Sequence, residues 1–168
     1  PSLYDGARVF ETGYHYSPWI VDAHQTTPGP LVAGKRYQWI AVYEHLDSRG
    51  VLHRSAPSKP FEMDITGSTG AVTLTLASLT LTERSDADND SCPVHIALYR
   101  TEGDGSVFFF EKLVENVASS PSVSVVSDMA DADIVQQAAL YTTGGRLENT
   151  QPPAMRHVVA HGNRLWGI

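Results

Sequence analysis

An all-β sandwich is the fold class this chain predicts, and two observations predict it. Aromatic and β-branched residues recur at the two-residue period of a strand, as from Tyr37 to His45 and from Val94 to Leu98. Polar turns containing Gly interrupt these runs. KRYQWIAVYEHLDSRGVLHRSAPSKP and HIALYRTEGDGSVFFFEKLVENV therefore each read as strand, turn, strand. Only DMADADIVQQAAL has helical character, and strands separated by turns argue against any βαβ arrangement. About seven strands are expected in the body.

Residues 1–34 read as a leading strand segment, LYDGARVFETGYHYSP, and a linker marked by TTPGP at Thr26 to Pro30. The body spans 35–141. In its first long strand Tyr37, Trp39, Ala41 and Tyr43 share one face and Ile40 and Val42 the other, the pattern of a strand covered on both sides. DSRG makes the turn. Pro57 and Pro60 then place the chain on an edge strand or at a crossing between sheets, because proline cannot donate to a ladder. Phe61, Met63 and Ile65 alternate. Val72, Leu74 and Leu76 share a face, but Leu79 and Leu81 fall in the opposite phase, so a bulge or break is needed near Ala77 and Ser78.

Val94, Ile96 and Leu98 alternate again, EGDG turns, and VFFFEKLV returns as the second hairpin, followed by a short strand with Val123 and Val125. Ile134, Val135, Ala138 and Ala139 fit a helical face for one or two turns, with Asp131 or Asp133 near the start, and a single turn or an extended tail fits the segment equally well. TTGGRLENTQPP ends the body, so 142–168 are a linker and the start of a following β region. Trp39, Tyr43, Leu74, Ile96, Leu98 and Phe109 are expected in the core.

Composition narrows the function classes. Of 168 residues, 42% are hydrophobic and 18% charged, and no apolar run approaches the ~20 residues that span a bilayer, which argues against a membrane protein. The net charge of −7, with no basic cluster, disfavours a nucleic-acid partner. Cys92 is the single cysteine, so an intrachain disulfide is excluded and synthesis in a reducing cytoplasm is expected. A start at Pro1 and an end within RLWGI set the expectation of a fragment of a longer polypeptide.

Candidate sites resolve into bland readings. Asp86, Asp88 and Asp90 are spaced as in a calcium loop, yet Ser91 stands where an EF-hand needs Gly and Ala97 where it needs Glu, which leaves a solvated acidic loop. His157 and His161 lack the Glu of a zinc-protease motif and a third ligand, and their neighbours Val158 and Val159 indicate a strand. Tyr14, Tyr16, Trp19, Tyr37, Trp39 and Tyr43 form either a sugar-stacking platform or a core with a terminal strand, and the core reading is favoured. No G-x-S-x-G elbow occurs, and GSTGA lacks the Lys of a P-loop. Glu44, Glu62 and Glu111 lie on strands, with nothing to single out an acid/base pair. No catalytic, cofactor-binding or metal residue is assigned, no cofactor is expected, and an enzyme is not expected.

Tyr37, Trp39 and Tyr43, the turn at Asp47 to Gly50, RSAPS at Arg54 to Ser58, LYRT at Leu98 to Thr101, the Phe-rich return strand and the acidic segment Asp128 to Asp133 together resemble a fibronectin type III-like module of bacteriophage tail and other virion structural proteins. In the flanks, RHVVAHGNRLW resembles the first strand of a β-propeller blade. The resemblance implies a fibronectin type III/immunoglobulin-like β-sandwich with extra flanking strands, and a non-enzymatic structural role in the virion after synthesis in the host cytoplasm. Its implied partners are other tail subunits, further copies of the chain in the assembly, and a host-surface glycan. The alternative is an extracellular glycan-binding or accessory domain of a multidomain bacterial enzyme. An inserted module would bring LYDGARVFE and RHVVAHGNRLW together, packed or paired.

Overall fold

The computed structural model describes residues 2–4, 9–11, 13–14, 16–46, 50–80, 82, 94–140, 158–161 and 164–167. Two antiparallel sheets form the predicted all-β sandwich. After a short ladder of β1 (Ser2–Tyr4) and β2 (Val9–Glu11), the first sheet is built from β3 (Ile20–Leu31), β7 (Gly70–Ala77) and β10 (Ser122–Ser127) in the order β10-β7-β3. In the second, β4 (Arg36–Leu46) pairs on one side with β5 (Leu52–Arg54) and β6 (Phe61–Asp64), and on the other with β8 (His95–Arg100), which carries β9 (Phe109–Glu115). One helical turn, α1 (Asp131–Ile134), follows β10, and β11 (Val158–His161) and β12 (Arg164–Gly167) form a closing ladder.

β4 is the organising strand, covered on both faces as its sequence predicts. Tyr37, Trp39, Ala41 and Tyr43 face the other sheet and pack with Val72, Leu74, Leu76, Ile96, Leu98 and Val125. On the outer face Ile40 and Val42 pack with Ala97, Tyr99 and Leu140. Leu140 arrives on a strap after α1. Phe110 N–H donates to Ala138 O at 2.9 Å and Leu140 N–H to Phe108 O at 2.7 Å, which adds a strand-like contact to the edge of β9.

The RSAPSKP segment runs along the other edge, as its prolines require. Ser55 and Ser58 donate their N–H groups to Tyr43 O and Ala41 O, while their hydroxyls accept from Tyr43 N–H and Ala41 N–H at 3.0 Å. Two serine side chains thus stand in for a partner strand's carbonyls and keep buried backbone donors satisfied.

Several expectations need correction. Residues 26–30, read as a linker, lie within β3, so the sandwich begins at Ile20 and not at Lys35. Gly29 sits so close to β7 that a Cβ there would stand on the backbone of Gly70 and Ala71. Its role is close approach, not flexibility. Phe109 is only half-buried. A one-residue register shift between β8 and β9 leaves Glu111 unpaired in the ladder and buries that residue instead.

The phase change after Leu76 reflects the end of β7 at Ala77. Beyond it the Asn116 amide mimics a strand, accepting from Leu79 N–H at 2.7 Å and donating to Leu79 O at 3.0 Å, and Leu79 enters the core. Among the described residues the two terminal segments do not pair with one another: each ladder pairs within itself. Leu81 and the segments 47–49, 86–93 and 141–157 lie outside the described residues.

Candidate functional site

Strand alternation at the start of β4 sends successive side chains to opposite faces and separates two clusters of charged groups, one on each face. Tyr37 and Trp39 point inward, where Arg100, fully buried, meets Glu111 and Asp131. Arg36 and Gln38 point outward, toward Glu62 and Asp64.

In the inner cluster Arg100 Nη1 donates to Asp131 Oδ1 at 2.9 Å and to Thr101 O at 2.9 Å, and Nη2 donates to Met129 O at 2.7 Å. The guanidinium also lies 5.0 Å from the centre of the Tyr37 ring, within cation–π range. The Tyr37 hydroxyl accepts from Val32 N–H at 2.9 Å and donates to Asp131 Oδ2 at 3.0 Å, and Gly103 N–H donates to the same oxygen. Ser127 Oγ accepts from Trp39 Nε1 at 2.9 Å and lies 2.8 Å from both carboxylate oxygens of Glu111, to which its hydroxyl donates a hydrogen bond.

Arg100 Nε has no hydrogen-bond partner among the described residues and stands 3.8 Å from Glu111 Oε2. Burial pushes the Glu111 carboxyl up from its ordinary value, against the downward pull of Arg100 and of the Ser127 hydrogen bond. Desolvation likewise raises the Tyr37 phenol, and takes that of Tyr43 to about 12.

The outer cluster lines an open cleft of about 910 Å³ between the β3–β4 turn, the end of β6 and the EGDG turn. Arg36 grips Asp64 with two hydrogen bonds at 2.8 and 3.3 Å, and Lys35 pairs with Asp104 at 2.5 Å. Asp104 takes a left-handed φ of 61°, which Asp tolerates in turns, and its Oδ1 accepts from Arg36 N–H at 3.0 Å. The hydrogen bond from Arg36 holds the Asp64 carboxyl below its ordinary value, and that from Lys35 does the same for Asp104. Both carboxylates are charged at neutral pH, so neither serves as a general acid there.

The candidates raised by the sequence are scattered. Glu44 pairs with Arg54 at 3.1 Å, Glu62 accepts from Gln38 at 3.0 Å, and Glu111 is buried, so the three do not converge. The aromatic set divides. Tyr37, Trp39 and Tyr43 are core, Tyr14 stacks on Tyr43 at 6.1 Å, and Tyr16 and Trp19 are exposed by 49% and 56%. His161 lies on β11, whereas His157 and Asp86 to Asp90 lie outside the described residues. Among the described residues no three His, Cys, Asp or Glu side chains cluster as metal ligands would.

Sequence reasoning passed over Arg100 and Asp131 as a pair. The available signal was an arginine at an inward-facing position of an otherwise apolar strand, HIALYR, which demands a buried counter-charge. No protein-family model matches the chain, and no curated protein or solved structure matches it either.

Proposed function

We propose that the chain is a non-enzymatic structural module of a bacteriophage tail protein that works by contact with other virion subunits. One observation carries this reading: three of the segments behind the resemblance fasten the sandwich together. Ser55 and Ser58 of RSAPS seal the edge of β4. Arg100 of LYRT and Asp131 of the acidic segment join the strap to the body. The buried polar groups of these segments fix one arrangement of strands. Mass spectrometry of gradient-purified particles tests it: peptides of the chain should co-sediment with tails at structural stoichiometry, and their confinement to the soluble fraction refutes the role.

A second reading, a glycan-binding accessory module, draws on the exposure of Tyr16 and Trp19. Glycan-array binding that disappears in Trp19→Ala supports it. An array with no signal removes it.

A further inference from the structure

Four strand edges bound the two sheets of the sandwich, at β3 and β10 in one and at β5 with β6 and β9 in the other. Exposed edges invite pairing with another chain, and folded proteins block them. Three carry such a device along all or part of their length. Pro57 and Pro60 and the hydroxyls of Ser55 and Ser58 close the edge beside β4. The 138–140 strap covers the start of β9. On β10, Lys112 reaches across to donate to Val126 O at 2.6 Å and to pair with Asp128.

The fourth edge is only half blocked. Pro28 and Pro30 guard the end of β3, but Ile20 to Thr26 contain neither proline nor lysine. Among the described residues no strand pairs with that side of β3. From Asp22 to Thr26 the strand keeps an unbroken register with β7, so alternate N–H and C=O groups point away from the sheet at regular intervals. Trp19 and Val21, each just over half exposed, precede this stretch.

We propose that this edge joins a second copy of the chain by antiparallel strand addition about a two-fold axis through Ala23, giving one continuous sheet of three strands from each copy. Side-chain complementarity fixes both the occupant and the register. Asp22 and His24 are exposed, while Ala23 between them packs toward the core, so the two polar side chains share the outer face. With the axis at Ala23, each Asp22 faces the second copy's His24, and the pair occurs twice. An axis at Asp22 sets two carboxylates opposite one another, and an axis at His24 sets two imidazoles opposite one another. A carboxylate opposite an imidazole can accept from its ring N–H, whereas two carboxylates directly opposite repel one another. This pairing depends on the β3 edge alone and stands apart from the proposed virion role.

Sedimentation equilibrium of the 168-residue chain from micromolar to millimolar concentration reads the association directly. A weak dimer is expected. His24→Glu places a carboxylate opposite Asp22 at both positions and should weaken association roughly tenfold, whereas His24→Lys should leave it at least as tight. Asp22→Lys combined with His24→Glu exchanges the charges and should restore the dimer, with circular dichroism and melting temperature confirming folded monomers throughout. A chain that stays monomeric at millimolar concentration overturns the proposal. So does a dimer indifferent to His24→Glu, or one that the exchanged pair fails to restore.

Discussion

Arg36 and Arg100 both face two carboxylates, and they teach opposite lessons. Arg36, its side chain 57% exposed, meets Asp64 and Glu62 in water. Arg100, its side chain at 0%, meets Glu111 and Asp131 beneath the sheet. The outer pair has the better geometry, two guanidinium nitrogens on two carboxylate oxygens, yet water screens it and ordering two long side chains offsets the gain. The inner cluster has an orphaned Nε and a 3.8 Å approach, yet Arg100 and Glu111 depend on their partners because neither can turn to water. Burial, more than geometry, decides what an ion pair does for this fold.

The largest effect that separates the two clusters should come from Arg100→Met. It leaves Glu111 buried without its counter-charge and frees Asp131 and Met129 O, so a loss of about 3–5 kcal/mol is expected from urea unfolding. A loss below about 1 kcal/mol, the scale of exposed pairs, would erase the distinction.

Asp131→Asn should cost less, about 1–3 kcal/mol, because the amide keeps the shape and one acceptor while losing the charge. Asp131 also ties the strap to the body through Arg100, Tyr37 and Gly103. Amide exchange at Phe110 and Leu140, whose N–H groups close the strap contact, should therefore quicken more than exchange at Val72 or Leu74. Equal acceleration at all four would mean that Asp131 supports the whole sandwich and not the strap.

The two clusters also differ in how far they were legible in the sequence. β4, β7, β8 and β10 were readable because burial on one or both faces imposes a period of two, and Trp39, Tyr43, Leu74, Ile96 and Leu98 are buried as that period requires. β3 was missed because Pro28, Gly29 and Pro30 carry the composition of a linker. Gly29 is there because β7 passes too close for a side chain, a fact of tertiary structure. Phe109 and Glu111 exchanged places for a similar reason: the register shift in β9 reverses the phase, and periodicity gives no sign of where a bulge falls. Partners separated by 31 residues, as Arg100 and Asp131 are, leave no local pattern at all.

The inner cluster should also be visible as a pH effect. Burial raises the folded-state pKa of Glu111 above 4.5, so over the interval between that value and the folded one the native state keeps a proton that the unfolded chain has released. The stability Glu111 contributes is thus greatest below pH 4.5 and declines as pH rises through the folded value. Asp64 and Asp104, with depressed values, contribute stability that is lost as pH falls, but they are common to wild type and Glu111→Gln and cancel in the difference. Unfolding free energy of wild type minus that of Glu111→Gln should fall with rising pH across this interval. A difference that rises instead would mean that Arg100 outweighs desolvation at this carboxyl.

The smallest effect should come from the outer cluster. Arg36→Gln and Asp64→Asn each break a bidentate contact whose two side chains are both 57% exposed. Neither change buries an unpaired charge, and water reaches whatever is left behind, so the unfolding midpoint should not move measurably at moderate salt. Lowering the ionic strength should bring out a slight loss in both variants, since screening is what suppresses the pair. The paired variant, Arg36→Gln with Asp64→Asn, should match the more affected single variant, because each removes the same contact. If Arg36→Gln instead lowered the midpoint as far as Arg100→Met, the cleft would be rigid structure held by its charges, and exposure would no longer explain why one arginine matters and the other does not.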